Sequence, residues 1–168
     1  MNVDYYNGLK KVYFDKIIDE IIEVGDLHNK QYKILDFGCG AKRLQKKLDR
    51  NILNYDTNKS LSDKIDYKDL VFDIVIFNHV LMYMDTNEIE LTIKIIKDKN
   101  PKCKFIFGIG KESLLNKFSA ILSMNFKAHY GTKTNYLEQI LILKKNINNL
   151  KFENNIFYMT DIYSGNCG

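Results

Sequence analysis

The chain has no tryptophan and a single proline, Pro101. With so little proline, element boundaries must be read from glycine, asparagine and hydrophobic periodicity. There is no linker, no repeat, and no low-complexity tract beyond the Asn-rich patch 146–149. Cysteine and histidine are equally scarce: Cys39, Cys103 and Cys167, and His28, His79 and His129. The cysteines form no C-x-x-C pair and have no zinc spacing with the histidines, so the spacing predicts neither a disulfide framework nor a structural metal. No apolar run reaches the roughly 18 residues of a membrane span. Where a leader would have an apolar stretch, the N-terminus has Asp4, Tyr5 and Tyr6. The expectation is a soluble, cytoplasmic protein without a membrane span.

The composition is that of a globular domain. Of the 168 residues, 45% are hydrophobic and 27% charged, enough for one domain over 1–168 with a real core. Lys and Arg number 25 against 21 acids, a net charge of +4. Two basic stretches stand out, Lys42, Arg43, Lys46 and Lys47, then Lys94, Lys97, Lys99, Lys102 and Lys104. They permit an acidic partner such as nucleic acid. No nucleic-acid module accompanies them, and a solvated surface in a Lys-, Asn- and Ile-rich chain is the favoured reading.

The most informative segment is Lys33-Ile34-Leu35-Asp36-Phe37-Gly38-Cys39-Gly40. Ile34, Leu35 and Phe37 suit a strand covered on both faces. Gly38 and Gly40 permit a sharp bend and a close backbone approach. Ala41 to Leu48 reads as a helix with Leu44 and Leu48 on one face. A strand, a glycine turn and a helix make a nucleotide pocket at the edge of a parallel sheet. The third glycine of a dinucleotide fingerprint would fall on Arg43, and no Walker loop occurs.

Leu35-Asp36-Phe37-Gly38-Cys39-Gly40 resembles the first motif of the Rossmann-like S-adenosylmethionine-dependent methyltransferases, although that family often has a glycine where this chain has Lys42. Asn51 to Asp56 reads as a second strand ending in an acid, and the resemblance assigns such an acid to both ribose hydroxyls of the cofactor. Leu70 to Leu81 resembles the family's fourth-strand segment. The fold implied is α/β: one Rossmann-like doubly wound sheet, mostly parallel, with an antiparallel strand near the C-terminus. The cofactor implied is S-adenosylmethionine, held by Asp36, Gly38, Cys39, Gly40, Asp56, Thr57, Asp66, Tyr67, Asn78 and His79.

The remaining elements follow from pattern. A helix is predicted over 5–24, with Leu9, Val12, Tyr13, Ile17, Ile21 and Val24 on one face and Gly25 ending it. Residues 64–67 form either a minimal third strand, with Asp66 at the adenine amino group, or a polar loop. Strand four covers 71–77. A helix capped by Asp85 or Thr86 follows, with Ile89, Ile93 and Ile96 inward. Lys104 to Gly110 reads as a strand, Leu114 to Leu122 as a short helix, Phe126 to Thr134 as a loop, and Tyr136 to Lys145 as a helix. Two strands close the chain, carrying Phe152, Ile156, Phe157 and Tyr158, then Ile162 and Tyr163.

Methyl transfer needs donor and acceptor held in line, and a hydroxyl acceptor also needs a base. His79, at a strand end, is the candidate base. Its other reading is a ring that packs beside the cofactor or bonds a carbonyl. His129 and Tyr130 are further catalytic candidates. With Tyr136 and Tyr163 they would make a polar aromatic acceptor site, unless these are ordinary half-buried tyrosines. Tyr5, Tyr6 and Tyr13 would close the pocket from the N-terminal side. Asn78-His79-Val80-Leu81 stands where an Asn-Pro-Pro-Tyr tetrapeptide would mark methylation of base amino groups or amides. The implied activity is methylation of a small molecule, saccharide or lipid intermediate, on oxygen. The alternatives are an RNA methyltransferase and a non-catalytic S-adenosylmethionine-binding partner protein. Metal is not expected.

Overall fold

The computed structural model describes residues 9–63, 66–111 and 132–168. Helix α1 (Leu9–Gly25) leads to strand β1 (Ile34–Phe37), helix α2 (Arg43–Leu48) and strand β2 (Leu53–Tyr55). Strand β3 (Ile74–Asn78), helix α3 (Thr86–Lys99) and strand β4 (Lys104–Gly110) follow. Helix α4 (Tyr136–Asn146) then precedes the hairpin of β5 (Asn148–Ile156) and β6 (Thr160–Asn166). The six strands form one sheet in the order β2-β1-β3-β4-β6-β5. The first four run parallel, and β6 lies antiparallel between β4 and β5.

Strand alternation divides the core into two chemically different halves. Ile34, Ile74, Ile76, Ile106 and Ile162 face Ile17, Ile18, Ile21 and Ile22 of α1 and Leu44 and Leu48 of α2. Leu35, Phe37, Val75, Phe77, Phe105 and Phe107 face Ile89, Ile93 and Ile96 of α3 and Ile140 and Leu143 of α4. Helices therefore cover both sides, as the doubly wound expectation required. The buried stripe of α1 is rotated from the expected one: Ile18 and Ile22 are buried, while Val12 is exposed.

Local capping explains the two helices on the Phe-rich face. Asp85 caps α3, accepting from Glu88 N–H at 2.9 Å while Glu88 accepts from Asp85 N–H at 2.8 Å. Asn135 and Glu138 make the same reciprocal pair at α4. Both are Asp/Asn-x-x-Glu capping boxes, visible in the sequence.

Three expectations are decided by the structure, the first in favour of the loop that the sequence left open beside a third strand. No strand occupies 66–69; Asp66 caps a short 3-10 turn, Tyr67–Asp69, and residues 64 and 65 lie outside the described residues. The edge of β2 is closed instead by Asp63. Its carboxylate accepts from Asn54 N–H at 2.8 Å, and its own N–H donates to Asn54 O at 2.8 Å. One residue thus satisfies the outward backbone groups that a third strand would have paired.

The second correction concerns cysteine. Cys103 and Cys167 are joined by a disulfide. The antiparallel register pairs Lys104 with Asn166, which brings the flanking cysteines opposite each other. Across 64 positions of sequence this neighbour relation leaves no spacing signal. The third concerns Phe157 and Tyr158, which form the hairpin turn rather than a strand. The expected helix 114–122, most of the loop 126–134, and Tyr5, Tyr6, His129 and Tyr130 lie outside the described residues. No helix among the described residues is long and apolar enough to cross a membrane.

Candidate functional site

The parallel strands all end on one side of the sheet, and the expected cofactor-side residues among those described gather there. The turn after β1 is left-handed at three positions, Gly38 (φ 79°), Gly40 (φ 47°) and Lys42 (φ 56°). Two of these are glycine, as the conformation favours. The glycine usual in the resembled family at the third position now has a conformational reason. Lys42 occupies it here, and its ammonium pairs with Asp63 Oδ1 at 2.6 Å. Because of this left-handed residue the helix starts at Arg43, later than expected.

The two glycines have different duties. A β-carbon on Gly38 would collide with the side chain of Val80, so Gly38 allows the loop after β3 to close on the turn. A β-carbon on Gly40 would meet nothing within 4 Å. Open space beside Gly40 is what a ligand approaching the backbone needs. Gly38 and Cys39 donate to Tyr55 O at 2.7 and 3.1 Å, and Gly40 donates to Asp56 Oδ2 at 3.1 Å. Asp56 Oδ1 accepts from Asn58 N–H at 2.8 Å. The Asp56 carboxylate is thus fixed at the tip of β2, with lone pairs left for two hydroxyls. Thr57 beside it is exposed.

Asp36 is the unusual group. It is 5% exposed, and no described residue donates a hydrogen bond to it. Burial, with repulsion from Asp56 second, pushes its carboxyl up to about 7. A buried acid without a donor is a place prepared for a cation or a hydrogen-bond donor. Cys39 is different: its thiol points inward to Leu61 O at 3.7 Å, and burial pushes it up to about 12.

On the β2 side, burial and the carboxylates of Asp66 and Asp56 push the Tyr55 hydroxyl up. These three groups therefore share one flank of the site. Tyr67 is buried, with its ring 5.2 Å from Phe37 and 4.6 Å from Tyr55. Asn78 ends β3 with its Oδ1 buried and unpaired against Gly108.

His79 follows with φ 54°, a left-handed conformation fixed by donation from its N–H to Gly108 O at 2.9 Å. Its Nε2 lies 2.9 Å from Thr160 Oγ1, and the Tyr13 hydroxyl bonds the same oxygen. Burial pushes the Tyr13 hydroxyl up, and its bond to Thr160 partly opposes this. Thr160 and the buried Asp161 carry no sequence signal; they reach the site only because β6 begins opposite the end of β4. Asp161 accepts from Tyr136 OH and Asn155 Nδ2 and pairs with Lys111 at 2.8 Å, and Tyr136 lies 3.0 Å from Tyr163 OH. Tyr136 and Tyr163 thus meet beside an acid the sequence did not suggest.

A glycine turn, two acids near adjacent strand tips and a histidine at the third therefore share one edge of the sheet. No family model matches the chain, and no curated protein matches it. Solved structures do. Magnesium protoporphyrin IX methyltransferase from Synechocystis PCC 6803, with bound SAH, is 17% identical, with a TM-score of 0.59 over 95% of this chain and 87% of that one. A SAM-dependent methyltransferase from Archaeoglobus fulgidus is 14% identical, with a TM-score of 0.58 over 89% and 91%. This chain has the class I methyltransferase fold. An O-methyltransferase family protein from Burkholderia thailandensis also shares the fold, at 12% identity and a TM-score of 0.60; there 90% of this chain covers 55% of that one.

Proposed function

We propose that the chain is an S-adenosylmethionine-dependent methyltransferase that acts on a small molecule, saccharide or lipid intermediate through oxygen. The observation that carries this reading is Asp36: a buried acid to which no described residue donates, one turn away from Gly40, beside which a β-carbon would meet nothing within 4 Å. The cofactor's ammonium is the donor and cation that this acid lacks. Asp56 would hold the ribose hydroxyls, and Tyr55 with Asp66 would flank the adenine. Gly40 would let the backbone approach. Asn78 and His79 would border the methionine part.

When bound, S-adenosylmethionine supplies a methyl group on a positive sulfonium; the carbon–sulfur pair returns to sulfur as the acceptor oxygen takes the methyl and releases its proton. The residues of the chain align the two partners and exclude water. His79 would take the proton or orient the acceptor; its Nε2 bonds Thr160 Oγ1, which the Tyr13 hydroxyl also bonds. The shortened sheet edge favours a second reading, a cofactor-binding protein without turnover.

Two measurements separate these readings. Isothermal titration with S-adenosylmethionine is expected to show one site per chain, and no heat with no thermal shift at millimolar ligand would remove both. Transfer of labelled methyl into a metabolite extract is expected for the enzyme. Binding without any transfer, together with a stoichiometric protein partner, would establish the second reading.

A further inference from the structure

The hairpin turn between β5 and β6 carries aromatic residues where the backbone favours asparagine and glycine. Phe157 and Tyr158 are both left-handed, with φ 50° and φ 58°. Tight hairpin turns of this hand are ordinarily built from Asn-Gly, because a β-carbon strains each central residue. The turn is nevertheless firmly held. Met159 N–H donates to Ile156 O at 3.0 Å, Tyr158 N–H to Asn155 Oδ1 at 2.7 Å, and Lys111 N–H to Met159 O at 2.8 Å.

Core packing does not account for the two rings, since Phe157 is 54% and Tyr158 is 80% exposed. Phe157 instead lies 6.3 Å from Tyr13, and Tyr13 lies 4.9 Å from Phe14. Tyr13 and Phe14 stand 6.4 and 5.7 Å from the ring of His79. Phe157, Tyr13 and Phe14 therefore form a row of rings from the open turn to His79 at the tip of β3, on the side of the sheet where the parallel strands end, and Tyr158 follows Phe157 at its outer end. Thr160 Oγ1, shared by Tyr13 and His79, is the hydroxyl at its inner end.

We infer that this row is the acceptor subsite and that the acceptor is a flat, uncharged hydroxyaromatic compound. It lies on Phe157 and Tyr158 with its hydroxyl toward His79. The inference rests on the methyltransferase reading above. Exposed rings match a flat ring, which stacks on them offset or edge-on at centroid separations of roughly 4.5–7 Å. A saccharide would need polar partners around its whole rim, and the row presents them at its inner end. In the reaction the carbon–oxygen bond forms on the hydroxyl, the carbon–sulfur pair stays on sulfur, and the phenolic proton leaves to His79 or water.

The test uses 7-hydroxycoumarin, followed by fluorescence anisotropy at mildly acidic pH with saturating S-adenosylhomocysteine. Three proteins are compared: the unaltered chain, Tyr158→Ala, and the double variant Phe157→Asn/Tyr158→Gly. The double variant places the favoured residues in the turn, so its Tm is expected to rise while coumarin affinity falls at least tenfold. Tyr158→Ala, at a largely exposed ring, is expected to lose three- to tenfold without unfolding. S-adenosylhomocysteine affinity, measured by calorimetry, is expected to stay within twofold in all three.

Failure of S-adenosylhomocysteine to bind the unaltered chain overturns the methyltransferase reading. Its binding without coumarin binding, or equal coumarin affinity in all three proteins, overturns this inference alone. A lower Tm in the double variant marks the rings as structural and also overturns it. So does preferential binding of methyl α-D-glucopyranoside or of phosphatidylcholine vesicles.

Discussion

At the scale of single residues, Asp36 sets stability against binding. Its carboxyl sits at about 7 in the folded chain against 3.8 ordinarily, chiefly through burial. Between those values the native state holds the proton more tightly than the unfolded chain, so stability falls as pH rises through this window. A difference of that size corresponds to at most about 4 kcal/mol. Asp36→Asn is therefore expected to raise the Tm of the ligand-free protein at pH 8 and to weaken cofactor binding. In the unaltered chain, affinity for S-adenosylmethionine is expected to rise from pH 6 to 8, because a cation binds the ionised acid. A flat affinity profile would show that Asp36 does not meet the ammonium. His79 divides on a different measurement. As a base, His79→Ala lowers turnover by roughly two to four orders of magnitude and leaves cofactor affinity intact. As a packing ring it weakens cofactor binding and spares saturated turnover. No change in either quantity removes it from the site.

At the scale of elements, β2 depends on Asp63. That residue accepts from the backbone of Asn54, bonds its side-chain amide at 3.2 Å and pairs with Lys42. Burial pushes the carboxyl up, and the bonds from Lys42 and Asn54 outweigh it to hold it below its usual range. Asp63→Ala leaves the outward N–H of Asn54 without its acceptor and Lys42 without its partner, and is expected to cost roughly 2–3 kcal/mol in urea unfolding. Asp63→Asn keeps a carbonyl acceptor and is expected to cost about 1 kcal/mol. Equal costs for the two variants would mean that the edge is not closed by this hydrogen bond. The Asp85 cap was read from sequence, and the Asn135 box follows the same local pattern, because the partners stand three residues apart. The Asp63 cap was not, because its partner lies on another element.

At the scale of the whole molecule, the disulfide ties the start of β4 to the end of the chain. Together with the buried Cys39 thiol, it leaves no reactive sulfur in the native fold. Ellman's reagent is expected to find no thiol in the native protein and one per chain in guanidinium. Three thiols in guanidinium would show that Cys103 and Cys167 are not joined. Reduction is expected to lower stability by roughly 2–4 kcal/mol, the usual effect of removing a native cross-link.

Features that depend on neighbours in sequence were readable without coordinates. The alternating apolar runs of β1, β3 and β4, the glycine turn at 38–40 and the helix caps are local, because side-chain period and backbone conformation act over a few residues. Asp36, Gly40, Asp56 and His79 were accordingly expected at strand ends, which is where the fold has them. Folding alone placed β6 between β4 and β5. That pairing brought Thr160 to His79, Asp161 to Lys111 and Tyr136, and Cys167 to Cys103. Such contacts are set by which strands find each other across long stretches of chain, and no local pattern in a single sequence carries that information.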